Sequence, residues 1–248
     1  MSHLDVSEHF YSLQGEGVTS GVPAVFLRLQ GCNLLCGGKG TQHDGRLHDG
    51  ATWRCDTVEV WAKGTRYETH QLLELFAACG YTARLNAGAH LVVTGGEPCL
   101  QQEGLVAFLG ALRPRVPNLY VEVETNGTIT PTDALLAYVN QINCSPKLAN
   151  SGMKPQARVR REGIERISQL DNAFFKFVVT CDSDVEEVER TFVHPFGIDP
   201  RRVLLMPGAG SREELTSRLG FLAAACIEKG YRLSSRLQLE IWDQTTGV

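Results

Sequence analysis

Three cysteines in the stretch GCNLLCGGKGTQHDGRLHDGATWRCDT, from Gly31 to Thr57, are the residues of this chain best equipped for chemistry. Three residues separate Cys32 from Cys36, and eighteen more separate Cys36 from Cys55. Three thiolates can hold three irons of a four-iron, four-sulfur cluster, where a closed electron-transfer cluster uses four. The fourth iron is then open, and an open position can bind and transform a ligand. The same cysteines with His43 or His48 also suit a structural zinc site of three Cys and one His. Ligand types overlap between metals, so cluster, zinc and no metal all stay open on this stretch alone. Cys79, Cys99, Cys144, Cys181 and Cys226 lack ligand spacing and read mostly as small buried hydrophobes.

Such a loop needs a rigid element to present it. Ala24 to Leu29 (AVFLRL), directly before it, reads as a buried strand. Further strands are expected at Leu91–Val93, Leu119–Val123, Ile142–Cys144, Phe174–Thr180 and Val203–Leu205, with a last one at about Arg236–Trp242. Helical patterns lie between them: Thr69–Gly80, Glu103–Leu112, Thr130–Tyr138, Asp184–Phe192, and a helix opened by the Ser211/Glu214 capping box and reaching Lys229. Each strand runs into a polar or glycine motif: TGGEP at Thr94–Pro98, ETNG at Glu124–Gly127, SPK at Ser145–Lys147, MPG at Met206–Gly208. Alternating strands and helices predict an α/β fold with a parallel sheet. About six such units make an incomplete TIM-like (β/α) barrel, with its site at the C-terminal strand ends. The chain reads as one domain over 1–248, with an inserted cluster loop at about 37–54.

Composition excludes several classes. The chain has 248 residues, 43% of them hydrophobic, and a net charge of −4, enough for a sizeable core. Runs of Lys and Arg stop at two (Arg160-Arg161, Arg201-Arg202), so no broad basic face for nucleic acid is expected. No apolar run approaches the length of a membrane span. A cytoplasmic protein with reduced thiols is the expectation.

Taken together, the cysteine loop after the first strand and TGGEP after the next resemble the radical S-adenosylmethionine (SAM) enzymes. The resemblance implies that SAM binds the open iron and is cleaved to a 5′-deoxyadenosyl radical. EHFYSLQGEG at Glu8–Gly17, FLRLQGCNLLC, RCDT, TGGEP, ETNG and SPK narrow the resemblance to the 7-carboxy-7-deazaguanine synthases. It runs over most of the chain. It implies conversion of 6-carboxy-5,6,7,8-tetrahydropterin to 7-carboxy-7-deazaguanine with loss of ammonia, on the way to 7-deazapurines such as queuosine. Other readings are a radical SAM activase that makes a glycyl radical on a partner, and a zinc-stabilised binding protein. SLQGEG and Arg28 before the cluster favour the small substrate.

Carried over by motif, the resemblance implies a [4Fe-4S] cluster on Cys32, Cys36 and Cys55. SAM would be held by Arg54, Cys55, Asp56, Gly96, Ser145, Pro146, Lys147, Met206, Pro207, Gly208 and Ala209. Substrate would meet Leu13, Gln14, Gly15, Arg28, Thr94, Glu124 and the carboxylate of Val248, and Thr57 would be a Mg²⁺ ligand. An electron donor such as flavodoxin or ferredoxin and a homodimer are implied as well. Three features depart from the family, one being Gln238 near the C-terminus, where relatives often have His. The third cysteine usually comes two or three residues after the second; closing the longer loop costs only about 1–2 kcal/mol more. The residue before that cysteine is commonly an aromatic on the adenine; here it is Arg54, with Trp53 one earlier.

Overall fold

The computed structural model describes residues 2–245. Its strands are β1 (His3–Leu13), β2 (Pro23–Leu29), β3 (Thr65–Glu68), β4 (His90–Gly95), β5 (Val121–Thr125), β6 (Gln141–Cys144), β7 (Ala173–Val179), β8 (Val203–Pro207) and β9 (Arg232–Leu233). They form one open sheet in the order β3-β1-β2-β4-β5-β6-β7-β8-β9. From β2 to β9 every pairing is parallel; β1 is antiparallel to both β2 and β3. Six parallel strands of four residues or more are present, β2 and β4 to β8, with the two-residue β9 at the edge. The antiparallel pair β1 and β3, absent from the sequence reading, extends the sheet on its other side.

Side chains alternate across a strand, and here the two faces differ in chemistry. One face packs Leu27, Leu91, Val93, Val123, Phe175, Phe177 and Leu205 against helices that contribute Leu72, Phe76, Phe108, Ile164 and Leu222. Fully burying each such side chain stabilises by about 1.5–3 kcal/mol, so this face holds the fold. The other face has only a small apolar cluster of Ala24, Phe26 and Val92 with Phe10, whose ring stacks on Phe26 at 4.8 Å. Around it, Arg28, Thr94, Glu122, Glu124, Asn143 and Lys176 take positions alternating with the apolar set, with Val178, Leu204 and Met206 as apolar neighbours on the same face.

Helix boundaries moved where capping chemistry decided them. The helix expected from Thr69 spans Thr69–Ala78, but Glu68 caps it in a reciprocal box with Gln71; Gly80 (φ +72°) separates it from the short helix Tyr81–Asn86. The helix expected from Thr130 is only Asp133–Leu136, with Thr132 Oγ1 accepting from Leu135 N at 3.3 Å. Arg212–Lys229 follows Ser211 as expected, the hydroxyl accepting from Glu214 N at 3.3 Å. Arg236–Trp242 is not a strand. Leu237–Trp242 is a helix, and the last strand is β9, before it.

Candidate active site

The C-terminal ends of the parallel strands surround a cavity of about 860 Å³ on the polar face of the sheet. All the candidate site residues in the described chain line it except Pro146; Val248 lies outside the described residues. Cys32, Cys36, Cys55 and Thr57 come from the loop after β2, Thr94 and Gly96 from the end of β4, Glu124 from β5. Ser145 and Lys147 follow β6, and Met206 to Ala209 end β8.

The cysteine loop is tied to the strand ends by backbone. Glu97 N donates to Gly31 O at 2.8 Å and Gly96 N to Leu29 O at 3.3 Å. A Cβ on Gly96 would lie 2.0 Å from Gly31 O and 2.6 Å from Cys32 Cβ, so no other residue lets these segments meet. Glu97, 0% exposed, organises the neighbouring motif by accepting from Cys99 N (2.9 Å), Thr125 Oγ1 (2.8 Å) and Asn126 N (2.7 Å). The Glu of TGGEP is thus a brace: it does not line the cavity.

All three thiols are free. Burial pushes Cys32 up to about 11 and Cys36 up to about 12, with Lys147 pulling the other way. Such thiols stay protonated until a cation takes the proton's place, so loading this site would release protons. Cys55 N donates to Cys36 O at 3.1 Å, and the Thr57 hydroxyl lies 3.5 Å from Cys55 Sγ. No group of three or more His, Cys, Asp and Glu among the described residues could hold a metal ion. In a four-iron cluster each thiolate meets its own iron, so the sulfurs need not converge on one ion. Three free thiols lining one cavity, Cys36 buried and Cys32 and Cys55 half-buried, fit that larger centre. His43 and His48 do not line the cavity; His48 Nε2 meets Asp44 at 3.0 Å and His43 contacts Gln42 at 3.2 Å.

The insertion is less of a free excursion than its glycines suggest. Its tip is exposed, but Thr41 is fully buried, and the base is sewn to the segment after β6 by Gly37 N→Ser151 O (2.9 Å) and Thr52 N→Asn150 O (2.8 Å). Trp53 Nε1 donates to Asn150 Oδ1 at 2.8 Å, and Lys147 Nζ lies 5.8 Å from its ring centre. The Arg54 guanidinium is engaged elsewhere, with Thr41 Oγ1 at 3.1 Å and in an ion pair with Glu59. Trp53 lines the cavity, as do Trp61 and Trp242.

At the opposite end, Glu124 accepts from Gln14 Nε2 and Thr94 Oγ1, both at 3.2 Å, and Arg28 Nε donates to Glu8 Oε1 at 2.7 Å. Between the two ends lies a run of alternating charge. Lys176, 6% exposed in the middle of β7, meets Glu16 at 2.5 Å; Glu16 meets Arg236 Nε at 3.0 Å; Arg236 Nη2 meets Asp56 at 2.5 Å. Burial alone would raise the Glu16 carboxyl, but Lys176 and Arg236 outweigh it and hold it well below the ordinary value. Lys176 and Arg236 were not among the residues singled out from sequence. A lone lysine inside FFKFVVT was a signal for the first; for Arg236 there was none.

The family-model comparison finds no match. Curated relatives match over nearly the whole chain. The 7-carboxy-7-deazaguanine synthase of Pyrobaculum aerophilum is 37% identical over 245 residues, covering 98% of this chain and 96% of the relative. That of Halobacterium salinarum is 30% identical, covering 97% and 91%. Among solved structures, QueE from Escherichia coli superposes with a TM-score of 0.65 at 28% identity, covering 94% of this chain and 93% of that one. On that full-length similarity, this chain belongs to the 7-carboxy-7-deazaguanine synthase family.

Proposed function

We propose that the protein converts 6-carboxy-5,6,7,8-tetrahydropterin to 7-carboxy-7-deazaguanine with release of ammonia, in 7-deazapurine (queuosine) biosynthesis. The observation that carries this is one cavity in which the cysteines after β2 face Arg28, Thr94, Glu124 and the Leu13–Glu16 turn. Cys32, Cys36 and Cys55 would hold a [4Fe-4S] cluster, which together with SAM would supply the one-electron chemistry needed to remove hydrogen from the substrate.

The chain's own residues do the placing. Arg28 offers a planar fork to the substrate carboxylate, which can take both oxygens at once. Glu124, already holding two donors, accepts from the amino-pyrimidinone edge of the pterin. Leu13, Gln14 and Gly15 close over the ring, and Thr94 contacts it from β4. Trp53 stacks on the nucleoside of SAM, with Asp56, Gly96, Ser145 to Lys147 and Met206 to Ala209 around it. Thr57 would offer a hard hydroxyl oxygen to Mg²⁺. The open sheet curves as an incomplete barrel in one domain, works as a homodimer in the cytoplasm, and takes its electron from a flavodoxin or ferredoxin.

The test is direct. Anaerobically reconstituted, reduced protein is incubated with SAM, Mg²⁺ and carboxytetrahydropterin, and the product is read by its absorbance and mass. Formation of 7-carboxy-7-deazaguanine supports the reading. A fully loaded protein that consumes no pterin refutes it.

A further inference from the structure

Arg236 stands at the start of the C-terminal helix and touches three segments far from it in the chain. Its Nε donates to Glu16 Oε1 at 3.0 Å, its Nη2 to Asp56 Oδ2 at 2.5 Å, and its Nη1 to the carbonyl of Ala209. Its side chain is only 12% exposed. Glu16 belongs to the turn that carries Leu13, Gln14 and Gly15. Asp56 adjoins Cys55, and Ala209 ends the β8 loop. The same helix start reinforces the first contact: Leu237 N donates to Gly15 O and Gln238 Nε2 to Glu16 Oε1, both at 2.8 Å. A Cβ on Gly15 would sit 2.0 Å from Gln238 Oε1, so turn and helix are in direct contact.

We propose that Arg236 is a positioning residue that clasps the SAM side of the cavity to the pterin side, so that the two ligands depend on it together. The idea rests on the proposed reaction only for which ligand belongs to which side. A guanidinium suits the task because its donors leave in fixed, divergent directions from one plane, and three of them here reach three different segments. A lysine ammonium is a point charge on a flexible stem and would satisfy one partner at a time. Asp56 is the exposed end of the clasp, its side chain 62% accessible, so it can be removed without opening the interior.

The experiment measures binding, not turnover. Dissociation constants for SAM alone and for carboxytetrahydropterin alone are determined on anaerobically reconstituted wild type, Arg236→Met, Arg236→Lys and Asp56→Ala, with iron content and melting temperature as fold controls. Arg236→Met and Arg236→Lys should each weaken both ligands about tenfold or more. Asp56→Ala, on the SAM side, should also weaken the pterin. Its effect on the pterin should be absent in the Arg236→Met background, because the two side chains act through one contact. Should Arg236→Met not fold, Asp56→Ala carries the test by itself through the pterin constant. Loss of one ligand only, full rescue by lysine, or an Asp56→Ala protein with wild-type pterin affinity would overturn the clasp. Wild type that binds neither ligand would overturn the proposed reaction instead.

Discussion

Replacing Glu16 by Gln removes a buried charge that faces two cations. The carboxylate meets Lys176 at 2.5 Å and Arg236 at 3.0 Å, and also takes the Gln238 amide at 2.8 Å. Glutamine keeps the shape and one acceptor oxygen, but turns an amide donor toward one of the cations. Removing one member of a buried ion pair costs about 3–5 kcal/mol, because the partner charge is left without compensation. For a chain of this size each kcal/mol moves the melting temperature by about 2–4 °C, so a fall of about 6–20 °C is expected at pH 7. The pH dependence gives an independent check. Lys176 and Arg236, outweighing burial, hold the Glu16 carboxyl well below its ordinary 4.5. A depressed carboxyl stabilises the fold above its unfolded value and loses that contribution as pH falls toward its folded value. The gap between wild type and Glu16→Gln should therefore be full at pH 6–7 and narrow progressively below about 4.5. Calorimetric or circular-dichroism melts at a series of pH values measure it. A gap of under about 2 °C at pH 7, or one that stays constant down to pH 3, would refute the reasoning.

Cys32→Ala, Cys36→Ala and Cys55→Ala should each abolish a stable four-iron cluster, read as iron content and visible absorbance, whereas Cys79→Ala should leave both intact; a Cys36→Ala protein with full iron would show the ligand set to be wrong. Thr57→Val keeps the shape and removes the hydroxyl, so Mg²⁺-dependent turnover should fall while SAM still binds; rates equal to wild type with and without chelator would remove the metal from the reaction. Glu97→Gln presents a donor to at least one of three donors now satisfied by carboxylate oxygens, and should cost about 1–3 kcal/mol in denaturant melts, the price of an unmade buried hydrogen bond.

Much of this architecture was legible because its strands are short apolar runs with a polar motif at each end. β2, β4, β6, β7 and β8 fall within a residue or two of the expected positions, and the motifs after them do share one cavity. β1 was not legible, for a physical reason. Its residues Glu8, Phe10 and Ser12 line the cavity, while His9 and Tyr11 on the other face meet Tyr81 and Arg84. Leu4 and Val6 alternate with polar residues before them, but the register shifts between Val6 and Glu8, so the apolar alternation is too short to read. The anchoring of the insertion was not legible either: it comes from backbone groups and from Thr41, neither of which a composition can reveal.

The misread C-terminal strand shows where local pattern loses to distant contacts. In Arg236–Trp242 (RLQLEIW) the apolar residues Leu237, Leu239 and Ile241 alternate, which is what a half-buried strand requires. In the helix that forms, residues two apart point to nearly opposite sides, so these three cannot share one buried face. They do not: Leu239 packs with Ala209 and Leu215, while Ile241 stays 45% exposed. One buried leucine is worth about 1.5–3 kcal/mol, too little to fix a six-residue element alone. The remaining hold is polar and comes from elsewhere in the chain: Gly15, Glu16 and Asp56 on one side, and Arg212, which reaches the carbonyls of Leu239 and Ile241, on the other. The partners of this segment lie 27 to 222 residues away. A wall built that way leaves no helical signature in its own sequence, and its Arg236, Gln238, Leu239 and Trp242 line the cavity.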